Sequence, residues 1–383
     1  RVIHVVSDFC MGGVSAVVYD LVKNYKSSSY EYHIVNLSGG GDEAVINRFR
    51  SLGIPIPQVQ YSFQSGFSSI DYMKEAFGVG KFRKANKAAI DAITKLSPDI
   101  LHFHTLPREL MLGREVKRKT NCKLVHTDHL VRLSNKDSSK IGRFLLRLPF
   151  QQFFKNYHLI AVSDSVYNYL VNMGVKFTAA SITVIRNKIP GSNLKITYSN
   201  KPELKVVYVA RISYVKGHRD LIQAWSLLPS LGLHLYIVGP DELHGSMQKL
   251  YEESNSHNPI TFTGSIPNAA DFIADADMGV FPSYQEGLPL ALLEKMRIGM
   301  PCVVSDIPEL TSIVSDGVDA LVYPSGNIEE LSNSIQRLAN DLQLREKIGI
   351  AAAITVNDKF VSKLGGIDKE YEEFYRTLTQ DVL

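Results

Sequence analysis

Two glutamates, Glu286 and Glu294, stand eight positions apart in the chain. The first follows Pro282-Ser283 at the end of an apolar run from Asp277 to Phe281, and the second lies in a segment that opens at Pro289 and stops at Gly299, before Cys302-Val303-Val304. This order reads as strand, loop, helix, strand. A helix start offers unpaired backbone N–H groups and the positive end of a dipole, so the mouth at Gly287, Leu288, Pro289 and Leu290 suits an anion. At about 1.5 Å of rise per residue, Glu294 lies roughly 7 Å along from Pro289, so the two acids flank an anion there. Carboxylates repel a phosphate, but they bind hydroxyl groups on either side of one. A nucleoside-diphosphate sugar offers both, a ribose at one end of the pyrophosphate and a sugar at the other.

Positive charge for that phosphate comes from another strand exit. Arg211 and Lys216, five positions apart, follow the apolar run Leu204 to Ala210 and precede Gly217. An arginine fork and a lysine point charge can clamp an anion from two directions. His129 falls just past the strand pattern Lys123 to Asp128, at the ligand edge of a parallel sheet, where a histidine is either a structural hydrogen-bonder or a ligand contact. Gly239 ends the strand pattern Leu233 to Val238 and permits close backbone approach. Gly12 and Gly13 form a turn after the strand pattern Arg1 to Ser7, a tight turn or a phosphate approach. His102, His104, His126 and His129 invite a metal reading, yet no acidic or cysteine ligand falls at matching spacing.

The elements that position these residues form two α/β series. A length of 383 residues exceeds one ordinary core, and 45% apolar with 21% charged residues supplies two. Strand and helix patterns alternate over residues 1–190 and again over 203–365, with a Pro-, Gly- and Asn-containing linker between, which predicts two domains. A net charge of +3 argues against a dedicated nucleic-acid binder. The three cysteines, Cys10, Cys122 and Cys302, lie far apart with no C-x-x-C, as buried thiols in a reducing compartment do. No signal-peptide pattern and no apolar run of about 18 residues is present, so a cytoplasmic, non-spanning chain is expected. Residues 140–155 combine Lys and Arg with Phe and Leu, and read either as a peripheral membrane contact or as a core helix with a solvated basic edge.

The run from Pro282-Ser283 through Glu286 and Glu294 to Gly299-Met300-Pro301 and Ser305-Asp306 closely resembles the signature of retaining glycosyltransferases of family 4. Arg211, Lys216 and Gly217 are similar to the same family's recurring strand exit. The resemblance covers nearly the full chain and is strongest from Val206 to Pro324. Lys295 stands where the family usually has Ala, and Lys188 where a Gly usually follows Asn187. The resemblance implies the GT-B fold, two Rossmann-like domains facing each other across a cleft, with the C-terminal helix 366–383 completing the first domain. It also implies a metal-independent, retaining hexosyltransferase with no cofactor. Such an enzyme moves a sugar from a nucleotide donor, taken as a UDP-sugar, to a hydroxyl of a glycan or lipid-linked acceptor in bacterial surface polysaccharide synthesis, at the inner face of the cell membrane.

In the roles implied, Arg211, Lys216 and the helix mouth stabilise the leaving pyrophosphate, Glu294 holds the ribose, and Glu286 holds the sugar hydroxyls. His129 contacts the sugar, and the Gly12-Gly13 amides reach toward donor phosphate or acceptor. No carboxylate is placed as a covalent nucleophile, which favours front-face attack. Two alternatives stay open: a sugar-nucleotide 2-epimerase of similar layout, which needs no acceptor, and a nucleotide-sugar-binding module without turnover. A nicotinamide-dependent oxidoreductase is disfavoured because G-x-G-x-x-G with its downstream acid is missing.

Overall fold

The computed structural model describes the chain except residues 10–12, 25, 27, 63–81, 130–146, 149, 190, 192–195, 199, 267–268, 288, 362–366 and 381–383. The side chains of residues 108, 269–271 and 367–368 are likewise outside the description. The chain divides into two compact units, Arg1–Asn187 with Leu364–Leu383, and Lys188–Lys363.

In the first unit, β1 (Val2–Val6), β2 (Tyr32–Asn36), β3 (Ile100–His104), β4 (Lys123–Asp128), β5 (His158–Ala161) and β6 (Ser181–Val184) form a sheet in the order β2-β1-β3-β4-β5-β6. Every pairing is parallel. β1, β2 and β3 are buried along their whole length, as continuous apolar runs covered on both faces must be. The helix Ile367–Gln380 belongs to this unit and sets Tyr371 and Tyr375 into its core.

The second unit repeats the scheme with β7 (Leu204–Val209), β8 (Leu233–Val238), β9 (Ile260–Gly264), β10 (Met278–Phe281), β11 (Cys302–Ser305) and β12 (Leu321–Tyr323). Their order is β12-β11-β10-β7-β8-β9, again all parallel. Trp225 and Tyr208 are among its largest fully buried side chains.

Several boundaries differ from expectation for local reasons. The stretch before β3 forms two helices, Phe82–Ala85 and Lys87–Lys95, where helical periodicity predicts one over about Lys81 to Leu96. Asn86 stands at the break, donating from Nδ2 to the Phe82 carbonyl at 3.2 Å and accepting the Ser62 amide on Oδ1 at 2.8 Å. The cap of the helix Asp164–Asn172 is Ser163, whose hydroxyl accepts the Val166 amide, and Asp164 is already helical. Pro289 is the N-cap of the helix Leu290–Arg297 rather than part of its first turn. Its carbonyl accepts the Leu292 amide at 2.9 Å. The short helices Leu110–Lys117, Ser246–Glu252 and Ala269–Ala274 were not anticipated.

Residues 140–146 and 149 lie outside the described residues, but Phe150, Phe153 and Phe154 are core side chains. The aromatic part of the membrane-contact expectation is therefore corrected: those rings fill the first unit. Among the described residues no helix is long and apolar enough to cross a membrane.

Lys295 carries a stability prediction. It is fully buried, with Nζ 3.3 Å from the Ala291 carbonyl and 4.9 Å from the centre of the Phe281 ring. Burial, the largest effect on it, lowers its pKa from 10.5 to about 8. A lysine with a depressed folded pKa is charged in both states below pH 8, so its cost there is constant. The cost is relieved as pH rises from about 8 toward the unfolded value. Lys295→Met is expected to stabilise the chain at pH 7 by up to about 3 kcal/mol. The gain should shrink by pH 10, which denaturant titrations at pH 7, 8.5 and 10 will read.

Candidate active site

In the second unit the charged residues converge at the C-terminal ends of β7 and β10. These strands are neighbours, and the chain runs outward through β8 and β9 on one side and through β11 and β12 on the other. Such a switch in strand order is where open α/β sheets leave a crevice for ligands. Arg211 and the 3-10 turn Tyr214–Lys216 follow β7, and residues 282–289 follow β10. Gly217 lets the two loops touch. Its φ is +68°, and a Cβ there would sit 1.9 Å from the Pro282 carbonyl oxygen. The Tyr284 amide donates to the Val215 carbonyl at 2.8 Å, completing the junction.

Lys216 Nζ lies 2.7 Å from Glu286 Oε1, and Ser283 Oγ donates to that same oxygen at 2.7 Å. The two charged side chains are only 18% and 11% exposed, so this ion pair is largely desolvated and each partner depends on the other. Hydroxyls fix the loops behind it. Tyr208 donates to the Lys216 carbonyl at 2.6 Å and lies 3.3 Å from Ser283 Oγ, while Ser305 donates to the Ser283 carbonyl at 2.6 Å. Burial pushes the Tyr208 phenol well above its ordinary range, so it remains a protonated donor. Burial also raises the Glu309 carboxyl, and the charge of Glu286 adds to the rise.

Arg211 is paired as well, with Glu242, in a bridge whose side chains are about half exposed. Each cation thus carries a carboxylate. Gly239 does make a close backbone approach, and the neighbour is Ala210: at φ +147° a Cβ would lie 2.1 Å from the Ala210 carbonyl oxygen. That contact fixes the exit on which Arg211 stands. Gly287 and Pro289 are buried, Leu290 opens the helix, and Leu288 lies outside the described residues. Glu294, one turn in, is exposed.

In the first unit the strand order switches between β1 and β3, and histidines gather there. His129, one residue past β4 and half-buried, has Nε2 3.1 Å from His104 Nδ1. His104 Nε2 is in turn 3.0 Å from His4 Nδ1. His102 bonds Tyr375 at 2.6 Å and Thr127 at 2.8 Å. Burial holds all three inner rings neutral, lowering His4 to about 3 and His102 and His104 well below the usual histidine range. Among the described residues His4, His102 and His104 bring ligand atoms within 4.8 Å of one another, a set of neutral nitrogens able to hold a transition-metal cation if it displaced the hydrogen bonds between them. His126, expected in such a set, is not part of this group, and its ring lies tilted against Phe154 with the centroids 5.5 Å apart. Gly13 begins the helix Gly13–Val22 and is exposed, and Gly12 lies outside the described residues.

Sequence reading missed His4, Tyr208, Ser283, Ser305, Glu242 and Glu309. The hydroxyls carried one available signal, their position at strand ends beside the charged loops.

The comparisons agree across both units. The sequence model described as Glycosyltransferase Family 4 matches residues 11–190, and that described as Glycosyl transferases group 1 matches residues 193–354. Among curated relatives, the capsular polysaccharide biosynthesis glycosyltransferase CapM of Staphylococcus aureus is 26% identical over 45% of this chain and 46% of its own. The N,N'-diacetylbacillosaminyl-diphospho-undecaprenol alpha-1,3-N-acetylgalactosaminyltransferase of Campylobacter jejuni is 27% identical over 56% of this chain and 60% of its own. The chain thus spans about half the length of these relatives. Among solved structures, Anabaena HepE in complex with UDP-glucose superposes with a TM-score of 0.76 at 18% identity, covering 98% of this chain and 99% of that one. Sucrose-phosphate synthase from Thermosynechococcus elongatus gives 0.75 at 17% identity over the whole of both chains. With both of its halves matched and the two-sheet GT-B architecture shared with these structures, the chain belongs to the family-4-type glycosyltransferases.

Proposed function

We propose that the protein is a retaining glycosyltransferase that moves a sugar from a nucleoside-diphosphate donor, a UDP-sugar, to a hydroxyl of a glycan or lipid-linked acceptor in surface polysaccharide synthesis. The observation that carries this reading is the desolvated Lys216–Glu286 pair at the β7/β10 switch point, a cation and a hydroxyl-binding carboxylate 2.7 Å apart. The names of the CapM and Campylobacter relatives and the UDP-glucose bound by HepE support the substrate class.

In this mechanism the donor pyrophosphate takes Lys216 and Arg211 from their carboxylates, with the Leu290–Arg297 helix mouth beside it. These cations meet the negative charge that grows on the leaving group as the anomeric carbon–oxygen bond breaks. Glu286 takes up the sugar hydroxyls and Glu294 the ribose. The acceptor oxygen attacks from the face the pyrophosphate leaves, and its proton passes to a phosphate oxygen. Lys216 and Arg211 supply the positive charge, so turnover is expected to survive chelation.

Separate substitutions test these roles. Glu294→Ala is expected to weaken UDP binding about tenfold in titration calorimetry with a smaller change in turnover, and Glu286→Ala to slow transfer at least a hundredfold with UDP binding nearly kept. Equal, negligible effects from both would mean that the donor site lies elsewhere. An epimerase would convert the nucleotide sugar with no acceptor present.

A further inference from the structure

We infer that Ser283 is a positioning residue for Glu286, one that keeps the carboxylate aimed once Lys216 has gone to the donor phosphate. This rests on the donor-site reading above and adds a residue to it. The geometry is specific. Both protein bonds to Glu286, from Lys216 Nζ and Ser283 Oγ, end on Oε1. Among the described contacts none ends on Oε2, so one oxygen faces the protein and the other is left for a ligand hydroxyl. Lys216 cannot serve a phosphate and hold the carboxylate at full strength together, because the phosphate draws the same ammonium. Ser283 then becomes the group that fixes Glu286.

Ser283 is itself held from two further strands. It is fully buried, its carbonyl accepts the Ser305 hydroxyl at 2.6 Å from the end of β11, and its Oγ lies 3.3 Å from the hydroxyl of Tyr208 on β7. Tyr208 gives its one proton to the Lys216 carbonyl at 2.6 Å and Ser283 gives its own to Glu286, so the 3.3 Å approach of the two hydroxyls is a packing contact between the loop bearing the cation and the loop bearing the acid. A side chain locked by packing and by second hydrogen bonds is what holds a binding group within a few tenths of an ångström.

The test uses binding alone, so no acceptor is needed. Affinities of the full chain for UDP, GDP and ADP, and for the corresponding glucose and N-acetylglucosamine nucleotides, are measured by titration calorimetry. The gain from adding the sugar reads Glu286, and the affinity for the bare diphosphate reads Lys216 and Arg211. Ser283→Ala is expected to lower the sugar gain about tenfold, the scale of a hydrogen bond to a charged group, while the diphosphate affinity stays within about twofold. Ser283→Thr, which keeps the hydroxyl, should restore most of the gain. In a Glu286→Ala background Ser283→Ala should have no further effect, since it acts through that carboxylate. Thermal melts establish that each variant folds.

If Ser283→Ala matches the parent protein, or lowers diphosphate and sugar-nucleotide affinity alike, the inference is overturned and the donor-site reading stands. If the parent protein binds none of the nucleotides, the donor-site reading itself falls.

Discussion

Lys216→Ala is expected to lower kcat/KM for the nucleotide-sugar donor by roughly a thousandfold, the loss that follows when a preorganised charge is removed from a dry site. Two effects add. The leaving diphosphate loses a cation at the moment its charge grows. Glu286, whose side chain is 11% exposed, is also left with the Ser283 hydroxyl as its one hydrogen-bond partner among the described residues. Removing one member of a desolvated pair costs more than the pair itself contributes, because the survivor stays buried and charged. Arg211 shows the contrast. Its bridge to Glu242 is about half exposed, so Arg211→Ala should cost less in protein stability, and its effect should lie in phosphate binding. Steady-state rates with UDP calorimetry will check both. A loss under tenfold for Lys216→Ala would show that this lysine does not meet the leaving group.

Acid is expected to destabilise the first unit before ordinary carboxylates titrate. His4 is held at about 3, and His102 and His104 well below their usual range, by burial in the sheet. For a base with a depressed folded pKa the unfolded state binds more protons between the two values. Stability is therefore complete above pH 6.5 and falls as the pH drops below it. His4 alone costs about 2 kcal/mol at pH 5, and His102 and His104 act in the same direction, against total stabilities of about 5–15 kcal/mol for a domain. In the second unit His218, lowered by burial to about 4, works in the same direction. Denaturant titrations from pH 7.5 to 5 should show a steep loss, and His4→Gln should reduce the slope by close to one proton. A flat profile over that range would mean the rings are not held neutral in the folded protein.

Much of the scaffold is legible in the sequence because parallel strands buried on both faces must be written as runs such as Val2 to Val6 and Leu204 to Val209. Arg211, Lys216, Glu286 and Glu294 stand out by charge at strand and helix ends. Their pairing does not. Lys216 and Glu286 are 70 positions apart, and they meet only because β10 returns to the side of β7 away from β8. His4 and His104 are 100 positions apart, joined by the pairing of β1 with β3. Ser283 and Ser305 stand in the signature run and Tyr208 near a strand end, but all three are uncharged, so which group each one holds is visible only as distances. The helix break at Asn86 depends on a loop amide 24 residues away, which helical periodicity alone does not contain.

The central claim is transfer of a sugar from a nucleotide donor, and one measurement meets it most directly. The full chain is incubated with UDP-, GDP- and ADP-sugars, with and without undecaprenyl-diphosphate-linked or free glycan acceptors. Released nucleoside diphosphate and product mass are then followed, together with the anomeric configuration of the new linkage by NMR. Diphosphate release that rises with one acceptor, with a product heavier by one sugar residue in the donor's own anomeric configuration, is the predicted result. Release that no acceptor raises, or conversion of the nucleotide sugar to an isomer without any acceptor, would contradict it.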